Sequence, residues 1–256
     1  QMTDTGILYL YQGICSLTKL ESLIIDISGC ELISDDGIRS LSMNNRGLKQ
    51  LNVFRLNCTG LRKITENGIF ALSSRIRQLQ SLKNLDLKFA QCEKINDRGL
   101  ESLAQAIRNL EYIEFLSLDF GSCKRISDNL FIYLRETFKG RKHLKNFKLQ
   151  LEECRINEKG LVILKDAIKS IENLNLLDLR FSLSSTISNK SLYSLKDALS
   201  DISTLKDLKL DFSSCRKISD KGLFEIKESL KSLTSLENLN LHFGWSAKIT
   251  KKGIDY

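Results

Sequence analysis

The residues of this 256-residue chain best suited to metal binding, redox work or nucleophilic catalysis are its seven cysteines and two histidines. Six of the cysteines (Cys30, Cys58, Cys92, Cys123, Cys154 and Cys215) recur far apart and at near-regular distances. Zinc sites draw on close pairs of ligands, and no such pair occurs. The spacing instead predicts one inward cysteine per structural unit, acting as a small apolar side chain. Thiols kept reduced in this way place the chain in the cytoplasm, with a cytoskeletal or ciliary setting as a variant. His143 falls in a helix-to-strand connection and His242 on a strand, where a lone histidine is expected to be a surface contact and not a general base. Neither a phosphate-binding glycine loop nor a nucleophile elbow is present. Asn57-Cys58-Thr59 and Asn189-Lys190-Ser191 match the glycosylation pattern by letter only. The expectation is therefore a non-enzyme with no catalytic residue, no metal and no cofactor.

The elements that carry these residues show themselves by repetition. Strands of the type Leu85-x-Leu87-x-Phe89, Leu177-x-Leu179-x-Phe181 and Leu208-x-Leu210-x-Phe212 alternate apolar and polar residues, as half-buried strands do. Helical spacing follows each strand, as in Leu100, Leu103, Ile107 and Leu110, or Leu223, Ile226, Leu230 and Leu233. A cap residue precedes each helix: Ser34, Thr65, Asn96, Ser127, Asn157, Ser188, Ser219 or Thr250. An acidic residue usually comes next (Asp35, Glu66, Asp97, Asp128, Glu158, Asp220), where it favours the helix dipole. Repeats start near residues 20, 48, 82, 113, 144, 174, 205 and 236, after a partial repeat over 1–19. The unit at Leu48 is expected to be the irregular one: it carries about three extra residues near Thr59-Gly60-Leu61 and sets Arg55 on the buried side unless a bulge turns Phe54 or Leu56 inward. Ser184 replaces the cysteine in one unit, and Leu130 and Ser191 replace the glycine after the cap. The chain starts and stops within a repeat and shows no polar capping unit, so a single array that is a fragment of a longer chain is expected.

The full pattern, Leu-x-x-Leu-x-Leu-x-Phe-x-x-Cys-x-x-Ile-Ser-Asp-x-Gly-Leu, resembles the leucine-rich repeat in its cysteine-containing, ribonuclease-inhibitor-like form. The resemblance implies an α/β solenoid: a right-handed βα horseshoe with a parallel sheet on the concave face and helices on the convex face. It also implies a binding scaffold for another protein, since one strand-helix unit cannot bury its own apolar face and stacked units present a long surface. The same repeat type resembles that of F-box proteins, which implies the substrate-recognition arm of a ubiquitin ligase as an alternative. A structural part of a cytoskeletal or ciliary assembly is another, and targeting of a catalytic domain elsewhere in the chain a third.

Two surfaces are candidates for the partner. Outward strand positions form the concave floor: Asp86, Ser117, Lys148, Asp178, Lys209 and Asn240 in one row, Lys88, Asp119, Gln150, Arg180, Asp211 and His242 in the next. Adjacent strands should pair Asp178 with Lys209 and Arg180 with Asp211. Toward the N-terminus the floor turns apolar at Ile24, Phe54 and Leu56, with Phe115 and Leu176 as single apolar additions. The second surface is a basic edge where strands turn toward helices: Arg62, Lys63, Lys94, Lys124, Arg125, Arg155, Arg216, Lys217 and Lys248. A further basic cluster runs from Lys139 through Arg141, Lys142, His143 and Lys145 to Lys148. Lysine and arginine total 39 against 31 acids, a net charge of +8 that favours acidic partners in association. The regular aromatic interleaving of single-strand binders is missing, so nucleic acid is not the expected partner. No apolar run approaches a membrane span.

Overall fold

A computed structural model describes residues 2–42 and 48–254. The chain divides into two compact units, residues 1–125 and 126–256. The first alternates α1 (Asp4–Ile14), β1 (Ser22–Asp26), α2 (Asp35–Ser40), β2 (Val53–Asn57), α3 (Glu66–Ile76), β3 (Asn84–Lys88), α4 (Asp97–Arg108) and β4 (Phe115–Asp119). The second contains α5 (Asn129–Phe138), β5 (Asn146–Gln150), α6 (Glu158–Lys169), β6 (Leu176–Arg180), α7 (Asn189–Leu199), β7 (Asp207–Asp211), α8 (Asp220–Leu230), β8 (Asn238–His242) and α9 (Lys251–Ile254). In each unit the strands pair in chain order and in parallel, which makes each a stretch of α/β solenoid.

Alternation along each strand decides what is buried. In β3, Leu85 and Leu87 are fully buried and Lys88 is exposed. The residue after the strand turns inward as well, and its aromatic rings stack from repeat to repeat. Phe89 and Phe120 lie 5.9 Å apart in one unit; Phe181 and Phe212 lie 5.8 Å apart in the other. Helices close the other side with the apolar stripe read from sequence, for example Leu100, Leu103 and Ile107 of α4.

The second repeat is regular, contrary to the expectation of an insertion. Its first leucine is Leu51 and not Leu48: Leu51 donates its N–H to the Leu48 carbonyl as Leu82 does to Leu79. Phe54 and Leu56 are buried and pair in register with Leu85 and Leu87, and Arg55 faces out without a bulge. The frame shift also moves Cys58. It occupies the aromatic position equivalent to Phe89, and fully buried Leu61 takes the place that Cys92 holds in the next repeat. The apolar floor expected at Phe54 and Leu56 therefore does not exist; of that group only Ile24 is exposed.

Caps fall where the sequence places them at Ser34, Thr65, Asn96, Asn157, Ser188 and Ser219. In α5, where Leu130 stands in the glycine position, the cap residue is Asp128, although the Ser127 hydroxyl still accepts from the Asn129 N–H at 3.3 Å. The acidic residues after the caps do more than meet a helix dipole. Asp35 accepts the Thr65 N–H at 2.8 Å, the Thr65 hydroxyl at 2.6 Å and the Gly68 N–H at 3.0 Å. Asp4 likewise accepts the Ser34 N–H and hydroxyl, and Asp220 those of Thr250. Each carboxylate thus clasps the cap of the following repeat. The recurrence of glycine three residues after the cap has its cause here: a Cβ at Gly68 would stand 2.6 Å from Asp35 Oδ1, and one at Gly37 2.5 Å from Asp4 Oδ1.

Candidate interaction surfaces

All the cysteines but the half-buried Cys30 are core residues. Cys92, Cys123 and Cys215 are fully buried, and each thiol donates to a carbonyl of an earlier repeat: Cys92 to Cys58, Cys123 to Phe89, Cys215 to Phe181. Burial pushes the Cys92 thiol up to about 12 and the Cys215 thiol to about 11, and lifts Cys58 well above the ordinary range. A thiolate is the reactive form, so these sulfurs are poor nucleophiles and poor metal ligands. Among the described residues no group of three or more His, Cys, Asp or Glu side chains is placed to hold a metal ion.

The floor of the first unit is built by β1, β2 and β3. Register sets Ile24 beside Arg55 and Arg55 beside Asp86, with Asp26, Asn57 and Lys88 in the adjoining row. Together they line a shallow hollow of about 190 Å³. The Asn57 amide donates to Asp26 at 3.0 Å, and the Ser28 hydroxyl and N–H reach the same carboxylate at 2.6 and 3.0 Å. These bonds, the Ser28 hydroxyl first, hold the Asp26 carboxyl below its usual range. One oxygen of Asp86 is buried without a hydrogen-bond partner. Asp86 and Lys88 continue in register to Ser117 and Asp119 of β4. Sequence reading missed Arg55 and Asn57 as floor residues because it framed their repeat at Leu48, and Asp26 because it followed the rows only from the repeat at Leu82; the 31-residue spacings from Asp26 to Asn57 and from Arg55 to Asp86 were the available signal.

In the second unit β5 to β8 align Lys148, Asp178, Lys209 and Asn240 in one row and Gln150, Arg180, Asp211 and His242 in the other. The last three strands shape a hollow of about 250 Å³. The alignment is the expected one, but the ion pairing is not. Arg180 folds back along its own strand and donates from Nε and a terminal nitrogen to both oxygens of Asp178, at 3.1 and 3.2 Å. That hydrogen bond raises the Arg180 guanidinium further above its ordinary range. The Asp178 side chain is consequently 2% exposed and offers a partner nothing; the Arg180 side chain keeps 41% of its surface. A planar fork matches a carboxylate two residues away better than a lysine on the next strand does. Asp211 accepts from the Ser213 N–H at 2.9 Å. Lys209 and Asp211 are half-buried, and Asn240 and His242 exposed.

All nine basic-edge residues are exposed: Arg62, Lys63, Lys94, Lys124 and Arg125 in the first unit, Arg155, Arg216, Lys217 and Lys248 in the second. Parallel bridges between Thr65 and Lys94, Asn96 and Arg125, Ser188 and Lys217, and Ser219 and Lys248 fix their backbones one repeat apart. Arg141 of the other basic cluster is buried instead, its Nε donating to the Thr137 carbonyl.

A family profile described as Leucine Rich repeat matches residues 15–42 and 206–227, one stretch in each unit. The chain has the leucine-rich-repeat fold. Among solved structures, a chain of the Rad7 and Elc1 complex of yeast matches all of this chain at 17% identity and a TM-score of 0.60, and this chain spans 60% of its length. The tropomodulin C-terminal domain of Caenorhabditis elegans aligns over 64% of this chain and 92% of its own, at 17% identity and a TM-score of 0.49. Leiomodin-1 actin-binding site 2 aligns over 63% and 86%, at 14% identity and 0.47. No curated protein matches. Likeness at such identities is likeness of fold. Among the described residues of this leucine-rich-repeat chain, no helix is long and apolar enough to cross a membrane.

Proposed function

We propose that this leucine-rich-repeat chain is a non-catalytic scaffold in the cytoplasm that binds another protein on the strand-lined floor of its repeats, with the basic edge as a second contact. The observation that carries the reading is the registered floor of each unit, where charges of both signs stand in rows over a shallow hollow. Parallel strands lie about 4.8 Å apart, so their outward side chains form a fixed lattice. A partner docking on such a lattice loses little freedom in ordering it, which favours specific binding over chemistry. Asp26, Arg55, Lys88, Asn240 and His242 are exposed on the floor, Lys209 and Asp211 half-buried, and the clasped Asp178 serves to position Arg180.

The test is affinity capture read by mass spectrometry, with three baits: the parent chain, a floor variant (Lys148, Arg180, Lys209 and Asp211 to alanine) and an edge variant (Arg62, Lys63 and Lys94 to alanine). Loss of a dominant protein with the floor variant, and its retention with the edge variant, is the expected result. Retention by the floor variant would sink the floor reading.

A further inference from the structure

The two units differ at one repeated backbone position. Gly29, Gly60, Gln91 and Ser122 in the first, and Glu153, Leu183, Ser214 and Trp245 in the second, all have positive φ. Only glycine takes this conformation without steric cost. The second unit nevertheless puts two of its largest apolar side chains there, and both are turned to solvent: Leu183 is 60% exposed and Trp245 88%. They gain no core packing in return. They stand two rungs apart in one row, roughly 10 Å by the strand spacing.

Beside Leu183 runs a groove of about 400 Å³, walled by Ser185, Ser214, Arg216 and Lys217. Arg216, Lys217 and Lys248 have no ion pair among the described residues, whereas Lys169, Lys196 and Lys206 of the same unit are each bonded to an acid of the next repeat. Bridging to Ser188 and Ser219 anchors the backbones of Lys217 and Lys248, so their charges repeat at a fixed interval. The apolar Leu183 and the cations Arg216 and Lys217 thus share one groove, with Lys248 one repeat beyond Lys217.

We propose that this edge of the second unit binds an extended acidic peptide segment of a partner protein, with a large apolar side chain of that segment seated against Leu183 and its carboxylates on Arg216, Lys217 and Lys248. Charge complementarity selects the occupant: the chain is net positive and the walls of this groove are cationic. A nucleic acid would need a series of stacking rings, and Trp245 is the chain's single tryptophan with no aromatic neighbour in its row. The site takes up the edge contact of the proposed function and is independent of the floor.

The experiment titrates the 256-residue chain into a fluorescein-labelled decapeptide of aspartate and glutamate with two phenylalanines, read by anisotropy and by the emission of Trp245. Binding that weakens with salt and shifts the Trp245 emission is expected. Leu183→Gly should weaken it about tenfold by removing the apolar contact, while the melting temperature does not fall, because glycine relieves the backbone. A variant with Arg216→Ala and Lys217→Ala should lose a similar factor and most of the salt dependence. Arg180→Ala with Lys209→Ala should leave the affinity unchanged, so failure of the floor reading and failure of this one are separable. Equal affinity of the parent, Leu183→Gly and Arg216→Ala/Lys217→Ala proteins would overturn the proposal. So would equal binding of a control peptide with glutamine and asparagine for the acids, or tighter binding of an oligothymidylate.

Discussion

Gln91 shows what single positions cost in this fold. Its φ of 62° is left-handed and its side chain is exposed, so the residue contributes little against the strain it carries. Glycine, which already fills the equivalent positions 29 and 60, fits without that cost. Gln91→Gly is expected to stabilise the chain by about 0.5–1 kcal/mol, raising the melting temperature by ~1–3 °C in a calorimetric scan. Thiol chemistry sorts at the same scale. Cys30 is half-buried and should react with a disulfide reagent in the native protein; Cys58, Cys92, Cys123 and Cys215 should react only after unfolding, as mass-mapped labelling would show.

Between elements, the clasp of carboxylate, cap and glycine joins α2 to α3. Asp35→Ala leaves the Thr65 and Gly68 amides without their acceptor and should cost about 1–3 kcal/mol. Gly68→Ala drives a methyl against Asp35 and should cost about the same. The double variant should cost less than the sum, since removing the carboxylate makes room for the methyl; denaturant melts of the four proteins measure that coupling. Additive losses would mean the carboxylate and the glycine act separately. Asn189 shows that an amide can substitute: its oxygen accepts the Ser219 N–H at 2.9 Å and its nitrogen donates to the Ser219 hydroxyl at 2.9 Å. The clasp also titrates. The Thr250 N–H and hydroxyl hold the Asp220 carboxyl below its ordinary range. A lowered carboxyl contributes stability above its unfolded pKa and loses it as pH falls through the folded one. An NMR titration should find Asp220 with its midpoint below an unpaired aspartate, and Thr250→Ala, which keeps the N–H and removes the hydroxyl, should move it only part of the way back up.

At the scale of a whole unit, each repeat touches its neighbours within that unit, so a local defect should decay with repeat separation. Gly222→Ala puts a methyl 2.8 Å from both Asn189 Oδ1 and Leu192 Cδ1. Hydrogen exchange should rise most in α7, α8, β7 and β8, and less in β5. A uniform rise across the second unit would show that it opens as a single block.

Local pattern determined much of this protein from the sequence alone. Alternation at Leu85-x-Leu87 and the stripe Leu100, Leu103, Ile107 report which side of an element meets apolar neighbours, and a serine, threonine or asparagine can cap only the helix it starts. The repeat family and the polar floor were legible for that reason. Tertiary structure decided what depends on a choice between partners in reach. The frame of the second repeat was ambiguous because Leu48 and Leu51 both fit a leading leucine, and only pairing with β3 sets Arg55 outward and Cys58 inward. Arg180 had acids on its own strand and on the next; it took Asp178, whose burial then follows. The acids after the caps carry the same letters whether they face solvent or clasp a neighbour. Thirty residues of chain separate Asp35 from Thr65, and packing alone brings them to hydrogen-bond distance.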